Sequence, residues 1–186
     1  TPLYSSAASD VYKRQSWGFV PLTNYQGTDS RAVLEPLSEH LTDYEQLMIQ
    51  YYGAGVQACY RGPRLYDTET TRQMVARTIN WYKKYRSILN ADMIQLRRAD
   101  GRDWDGLIHV DPSSKQKALG MLYNPTKEKI TRTIPVPLYY SGLTTTATLA
   151  LKDDKATAKK YTLNRNYELL LTVTIDPESY TWFTVE

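Results

Sequence analysis

Glu168-Leu169-Leu170-Leu171-Thr172-Val173-Thr174-Ile175 sets Leu169, Leu171, Val173 and Ile175 at strict period two. Successive side chains of a strand point to opposite faces, so this spacing predicts a strand with one buried face. Working outward, residues 93–186 read as short strands between turn signals, with no helical stripe. Met93–Arg97 and Leu107–Val110 flank the turn-rich Ala99-Asp100-Gly101-Arg102-Asp103. Ala118–Tyr123 runs into Asn124-Pro125-Thr126, and Ile130–Ile134 is expected to stop at Pro135 and Pro137. Ala147, Leu149 and Leu151 share one face, and Tyr180-Thr181-Trp182-Phe183-Thr184-Val185-Glu186 is β-branched and aromatic. Regularly spaced strands of this kind predict an antiparallel β-sandwich.

Residues 16–92 follow a different grammar. Trp17-Gly18-Phe19-Val20-Pro21-Leu22 is a short apolar run that ends in the polar tip Thr23-Asn24-Tyr25-Gln26-Gly27. A helix is expected from about Pro36, which the first turn tolerates. Leu37, Leu41, Tyr44, Met48 and Tyr51 make its apolar stripe, and Gly53 and Gly55 end it. Val56–Tyr60 reads as a second strand, with the tip Arg61-Gly62-Pro63-Arg64-Leu65-Tyr66 behind it. Asp67 or Thr68 is placed to cap a second helix. Met74, Trp81, Tyr85 and Ile88 form one stripe of that helix, and Val75, Ile79, Tyr82 and Leu89 form its neighbour. The order β-α-β-α is the repeating unit of a parallel α/β fold. Two such strands cannot close a barrel or cover their own edges, which predicts a larger sheet of which these are part.

Composition narrows the function classes. The chain has 186 residues, 41% hydrophobic and 23% charged, enough for a real core. Lys plus Arg number 23 and Asp plus Glu 20, a net charge of +3. That balance is too mild to point to nucleic acid or an anionic membrane. No apolar run approaches the roughly 18 residues of a membrane helix. One cysteine excludes an intrachain disulfide framework and a Cys-based zinc cluster, and two histidines leave little for a metal site. No cofactor is expected. Tyrosine stands out, 16 against 2 phenylalanines; its flat face and hydroxyl suit sugar surfaces and amphipathic sheets alike.

The N-terminus has no initiator Met, basic region or apolar region of a signal peptide. Ser5-Ser6-Ala7-Ala8-Ser9-Asp10-Val11-Tyr12-Lys13-Arg14-Gln15 resembles the translated read-through of a sequencing adaptor. Residues 1–15 are therefore read as a non-native tail, with natural sequence from Ser16, and the parent protein is expected to extend upstream.

Several segments then point to a family. Trp17–Thr23, Gly53-Ala54-Gly55-Val56-Gln57-Ala58-Cys59-Tyr60-Arg61-Gly62, Leu65-Tyr66-Asp67-Thr68 and Asp100-Gly101-Arg102-Asp103-Trp104-Asp105-Gly106 are among them. Leu122-Tyr123-Asn124-Pro125 and Pro137-Leu138-Tyr139-Tyr140-Ser141-Gly142-Leu143 complete the set. Together they resemble the closing part of bacterial α-galactosidase-like glycoside hydrolases, a (β/α)8 barrel followed by a C-terminal β-sandwich. The resemblance implies a mixed fold: residues 16–92 as the last two β/α units of a truncated (β/α)8 barrel, and residues 93–186 as an antiparallel β-sandwich. A whole barrel needs about 250 residues. Barrel chemistry sits at the C-terminal ends of strands, which makes Asn24, Tyr25, Gln26, Tyr60, Arg61 and Arg64 the candidate substrate-binding residues for a carbohydrate. Glycoside hydrolysis usually needs two carboxylates, and neither tip begins with one. Asp29 and Asp67, the nearest, suit helix-start roles. No catalytic residue is assigned, the carboxylates are implied on earlier strands, and this portion alone is expected to be inactive. Secretion or a periplasmic location of the parent is implied by the family's usual polysaccharide substrates. The competing reading is a non-catalytic carbohydrate-binding or structural β-sandwich protein.

Other constellations read as structural. Asp103-Trp104-Asp105-Gly106 lacks a first acidic calcium ligand and has Pro112 where the bidentate Glu belongs, so a hydrogen-bonded turn is expected. His109 reads as a satisfied sheet residue, His40 as a residue at the solvent edge, and Cys59 as a buried small hydrophobe or pocket wall. Arg97-Arg98 and Lys159-Lys160 read as solvated faces or strand edges. Tyr139, Tyr140, Tyr161, Tyr180 and Trp182 could form a sugar-stacking platform, but packing is the expected role.

Overall fold

The computed structural model describes residues 17–21 and 34–186, mostly antiparallel β-sheet with two long helices. Residues 1–15, the tip at 23–27 with Asn24, Tyr25 and Gln26, and Asp29 lie outside the described residues. The chain divides into two compact units, which part between Leu89 and Asn90.

In the first unit, β1 (Trp17–Pro21) pairs in parallel with β2 (Gln57–Arg61). Between them a 3-10 turn, Leu37–His40, leads into α1 (Leu41–Gly53), and α2 (Glu69–Leu89) follows β2. Leu37, Tyr44, Met48, Tyr52, Met74 and Val75 form one buried cluster, with Ala58 and Tyr60 of β2 packed against it. In the last turn of α1, Tyr51 packs half-buried against this cluster and Tyr52, off the expected stripe, is buried in it. Helix α1 ends as its glycines predict: the Gly55 N–H donates to the Tyr52 carbonyl and the Val56 N–H to the Tyr51 carbonyl, with Gly55 at φ +71°. Met74, Val75, Tyr85, Ile88 and Leu89 are buried along α2, so the two adjacent stripes act as one broad face.

The second unit is all β. A six-stranded sheet runs β3-β4-β5-β10-β7-β8 and a two-stranded sheet β6-β9. The strands are β3 Asp92–Arg97, β4 Asp105–Val110, β5 Ala118–Asn124, β6 Ile130–Pro137, β7 Thr146–Leu151, β8 Lys159–Thr162, β9 Glu168–Ile175 and β10 Ser179–Val185. Every pairing is antiparallel. Leu169, Leu171, Val173 and Ile175 of β9 are all buried, and with Ile130, Ile134 and Val136 of β6 they meet Ile108, Leu122, Leu149, Phe183 and Val185 of the larger sheet. Two sheets sharing one apolar core make a sandwich.

The expected stop at Pro135 does not occur, for β6 runs through both prolines to Pro137. It is half of a two-stranded ribbon and pairs with β9 alone, Pro135 facing Leu170 and Pro137 facing Glu168. On such a strand a missing N–H can point away from the ladder. At the rim of the larger sheet, β8 is four residues long and carries the exposed Lys159 and Lys160. In β7, Ala147 and Leu149 are buried as the spacing predicts, whereas Leu151 is exposed at the strand end.

Candidate functional site

The C-terminal ends of β1 and β2 lie at Pro21 and Arg61, paired in register. Of the six candidate binding residues, the described part locates Tyr60, Arg61 and Arg64. Arg61 closes β2. Tyr60 points to the helices, half-buried, and its hydroxyl lies 2.7 Å from the Tyr52 hydroxyl. Burial first, and then that hydrogen bond, push the Tyr60 phenol well above its ordinary range. It is therefore a neutral group at any physiological pH. The Tyr52 ring stacks on Tyr82 at 4.5 Å, and the Tyr44 hydroxyl donates to the Leu65 carbonyl at 3.0 Å. These tyrosines tie the loop after β2 to the helical layer.

Arg64 grips Glu35 with both arms of its guanidinium, at 3.2 and 2.8 Å. Glu35 is a partner that no sequence pattern singles out, since it only precedes Pro36. Asp67 bridges the two helix starts: it accepts from the Ser38 N–H at 2.9 Å, the Ser38 hydroxyl at 3.1 Å and the Thr71 hydroxyl at 2.8 Å. Desolvation raises its pKa, but the hydrogen bonds outweigh it and hold the carboxyl at about 2. The Thr68 hydroxyl accepts from the Thr71 N–H, which makes Thr68 the cap of α2. Asp67 thus has the helix-start role its position suggests.

Of the two roles expected of Cys59, the buried small hydrophobe is not observed. The residue is exposed, because alternation along β2 gives Ala58 and Tyr60 to the helices and turns Cys59 to the opposite face. A run as short as Val56–Tyr60 does not reveal from sequence which of its faces is covered.

In the second unit the acidic turn is built as a network. Asp100 accepts from the Arg102 and Asp103 N–H groups and pairs with both arms of Arg97, which also donates to the Trp104 carbonyl. Asp103 pairs with Arg132 at 3.2 Å. Arg97 is thus a structural fork rather than a solvated charge, while Arg98 is exposed. Among the described residues no group of three or more His, Cys, Asp and Glu side chains is arranged to hold a metal. His109 is fully buried within β4, and His40 lies 3.8 Å from Asp43 at the surface.

Asp105 is the perturbed carboxyl of this network. Burial raises its pKa to about 6, with Arg97 opposing and Asp100 adding to the rise. A raised folded pKa means stability present below the unfolded value near 4 and lost as pH climbs through 6. Asp105→Asn should accordingly gain about 1 kcal/mol at pH 8, with solvent screening counted, and nothing at pH 4. Urea unfolding at the two pH values checks this.

The five aromatic residues weighed together divide. Trp182 is buried and Tyr161 packs against the sandwich core, whereas Tyr139 and Tyr140 are 61% and 66% exposed. The packing expectation fails for that pair.

No protein-family model matches the sequence, and no curated relative matches it. Solved structures do. An α-galactosidase of glycoside hydrolase family 36 from Geobacillus stearothermophilus, in complex with raffinose, aligns with a TM-score of 0.55 at 11% identity, over 91% of this chain and 21% of its own. The fold is one found in glycoside hydrolases. The protein AmyP in complex with maltose aligns with a TM-score of 0.52 at 9% identity, over 83% of this chain and 36% of its own. An α-amylase from Geobacillus thermoleovorans complexed with acarbose gives 0.51 at 13% identity, over 78% and 33%. The chain thus spans 21–36% of the length of these structures. At such identities what is shared is the path of the backbone.

Proposed function

We propose that the chain is the C-terminal portion of a glycoside hydrolase, with residues 16–92 as the last two β/α units of a (β/α)8 barrel and residues 93–186 as its β-sandwich. The observation that carries the reading is the parallel pair β1–β2 followed on the chain by α2. Parallel sheets are covered on both faces. Here Ala58 and Tyr60 pack on helices while Cys59 is exposed on the other side. In a closed barrel that second face lines the interior, filled by side chains from the other strands. Backbone likeness to an α-galactosidase over 91% of the chain supports the same reading.

The substrate is a carbohydrate, received at the C-terminal strand ends by Asn24, Tyr25, Gln26, Arg61 and Arg64, with Tyr60 turned instead to the helices. Amides and guanidinium groups match sugar hydroxyls. The Glu35–Arg64 contact positions one of these side chains, and the Tyr52–Tyr60 contact fastens the strand end to the helices. The acid and the nucleophile or base come from earlier strands, so this portion alone does not hydrolyse glycosides.

The coding sequence upstream of Ser16 tests the proposal. Six β/α units with Asp at two strand ends are expected; a stop codon or an unrelated domain overturns it. On the protein itself, Cys59 of the 186-residue chain should react with a thiol-specific chromophore as fast as a free thiol. With the upstream units restored it should be shielded, and equal reactivity in both forms counts against a barrel interior.

A further inference from the structure

We propose that Tyr139, Tyr140 and Tyr167 form a binding platform for polysaccharide chains on the β-rich unit. Tyr139 and Tyr140 occupy a 3-10 turn between β6 and β7 and present their rings to solvent. The turn has a rigid base. Leu138 and Ser141 are fully buried, the Ser141 hydroxyl donates to the Leu138 carbonyl at 2.6 Å, and Gly142 closes the turn at φ +79°. Rings held on such a base lose little freedom when a ligand lands on them.

Tyr167 supplies a second, independent observation. Its φ is +60°, a left-handed conformation that costs a residue with a Cβ roughly 1–2 kcal/mol and glycine nothing. The conformation is fastened by the Tyr167 N–H donating to the Asn164 carbonyl and by the Tyr167 carbonyl accepting from the Leu138 N–H, both at 2.9 Å. A bulky side chain at a position that favours glycine places its ring 5.3 Å from Tyr139 at 67°, and Tyr139 meets Tyr140 at 5.1 Å and 87°. The three rings form one cluster of tilted faces.

The chemistry favours sugar over a protein partner. Tyrosine offers an apolar face for the C–H side of a pyranose and a hydroxyl for its polar rim. Exposed residues near the three tyrosines in the chain are polar: Thr144, Thr145, Asn164, Arg165 and Asn166. A stable protein interface needs about 800 Å² per partner with an apolar centre, which three tyrosines among polar side chains do not supply. The class of ligand rests on the glycoside hydrolase reading.

Native electrophoresis of the full chain in gels containing soluble starch, galactomannan or arabinan tests the platform. At least one polysaccharide should retard the protein. The double variant Tyr139→Ala, Tyr140→Ala should weaken the apparent affinity about tenfold, equivalent to about 1.4 kcal/mol, at an unchanged thermal midpoint. Tyr66→Ala, an exposed tyrosine of the other unit, should leave retardation intact. Absence of retardation in all three gels overturns the proposal. So does retardation that survives the double variant, or a loss shared by Tyr66→Ala. The outcomes separate from those of the parent reading: an upstream sequence without a barrel leaves measured retardation standing, and a barrel upstream does not rescue its absence.

Discussion

Asn124→Asp should lower the stability of the β-rich unit by about 3 kcal/mol or more, the largest single-site loss expected in the chain. Asn124 is 1% exposed. Its amide nitrogen donates to the carbonyls of Glu128, Asp176 and Ile175 at 2.7, 2.9 and 3.3 Å, and its oxygen accepts from the Thr126 N–H and hydroxyl at 3.0 and 2.8 Å. One side chain thereby joins the end of β5 to the loop before β6 and to the end of β9. Aspartate has the same shape, but it would set an oxygen against three carbonyl oxygens and remove the donor that they share. Thermal denaturation followed by circular dichroism should show a midpoint lowered by about 12–24 °C at pH 7. The loss should shrink toward pH 4, where a neutral carboxyl again offers one donor. An unchanged midpoint at pH 7 would mean that the network does not hold the sheets together.

Gly120→Ala should cost about 1–3 kcal/mol by overpacking. Gly120 lies in β5 opposite Phe183 of β10, and a Cβ there would collide with the Phe183 ring at three carbon atoms. The ring is fully buried in the sandwich core, packed among its other apolar side chains. Phe183→Leu should destabilise on its own, yet recover part of its loss when combined with Gly120→Ala. A double-mutant cycle in urea isolates that coupling. Strict additivity would show that the ring and the glycine do not compete for the same volume.

The strands that sequence reveals are those with one covered face. In β9, alternation alone separates Leu169, Leu171, Val173 and Ile175 from the exposed Leu170. The helices were legible for the same reason, although the last turn of α1 buries Tyr52 as well as packing Tyr51 on the core. Proline misleads in β6 because its effect depends on which side of the strand has a neighbour, which is a tertiary fact. Which face Cys59 takes and which tyrosines are covered are tertiary facts likewise. Residue type says that Trp182 and Tyr139 can both stack on something, but only topology gives one to the core and the other to solvent. At the strand ends the residue types were readable, whereas the partners Glu35 and Tyr52 were not, since Glu35 arrives from a distant stretch of chain and Tyr52 lies off the stripe read for its helix. The Asn164-Arg165-Asn166 turn was the available signal for Tyr167, as asparagine-rich turns often carry left-handed residues.

The short, lysine-bearing β8 at the rim of the larger sheet governs how these molecules behave toward one another. A sheet edge is a template for further strands, and one that is long and apolar recruits copies of itself. This rim offers only four residues, with two exposed ammonium groups that an approaching identical rim would have to bring together. Growth of the six-stranded sheet past β8 is thereby opposed by electrostatic repulsion between identical rims.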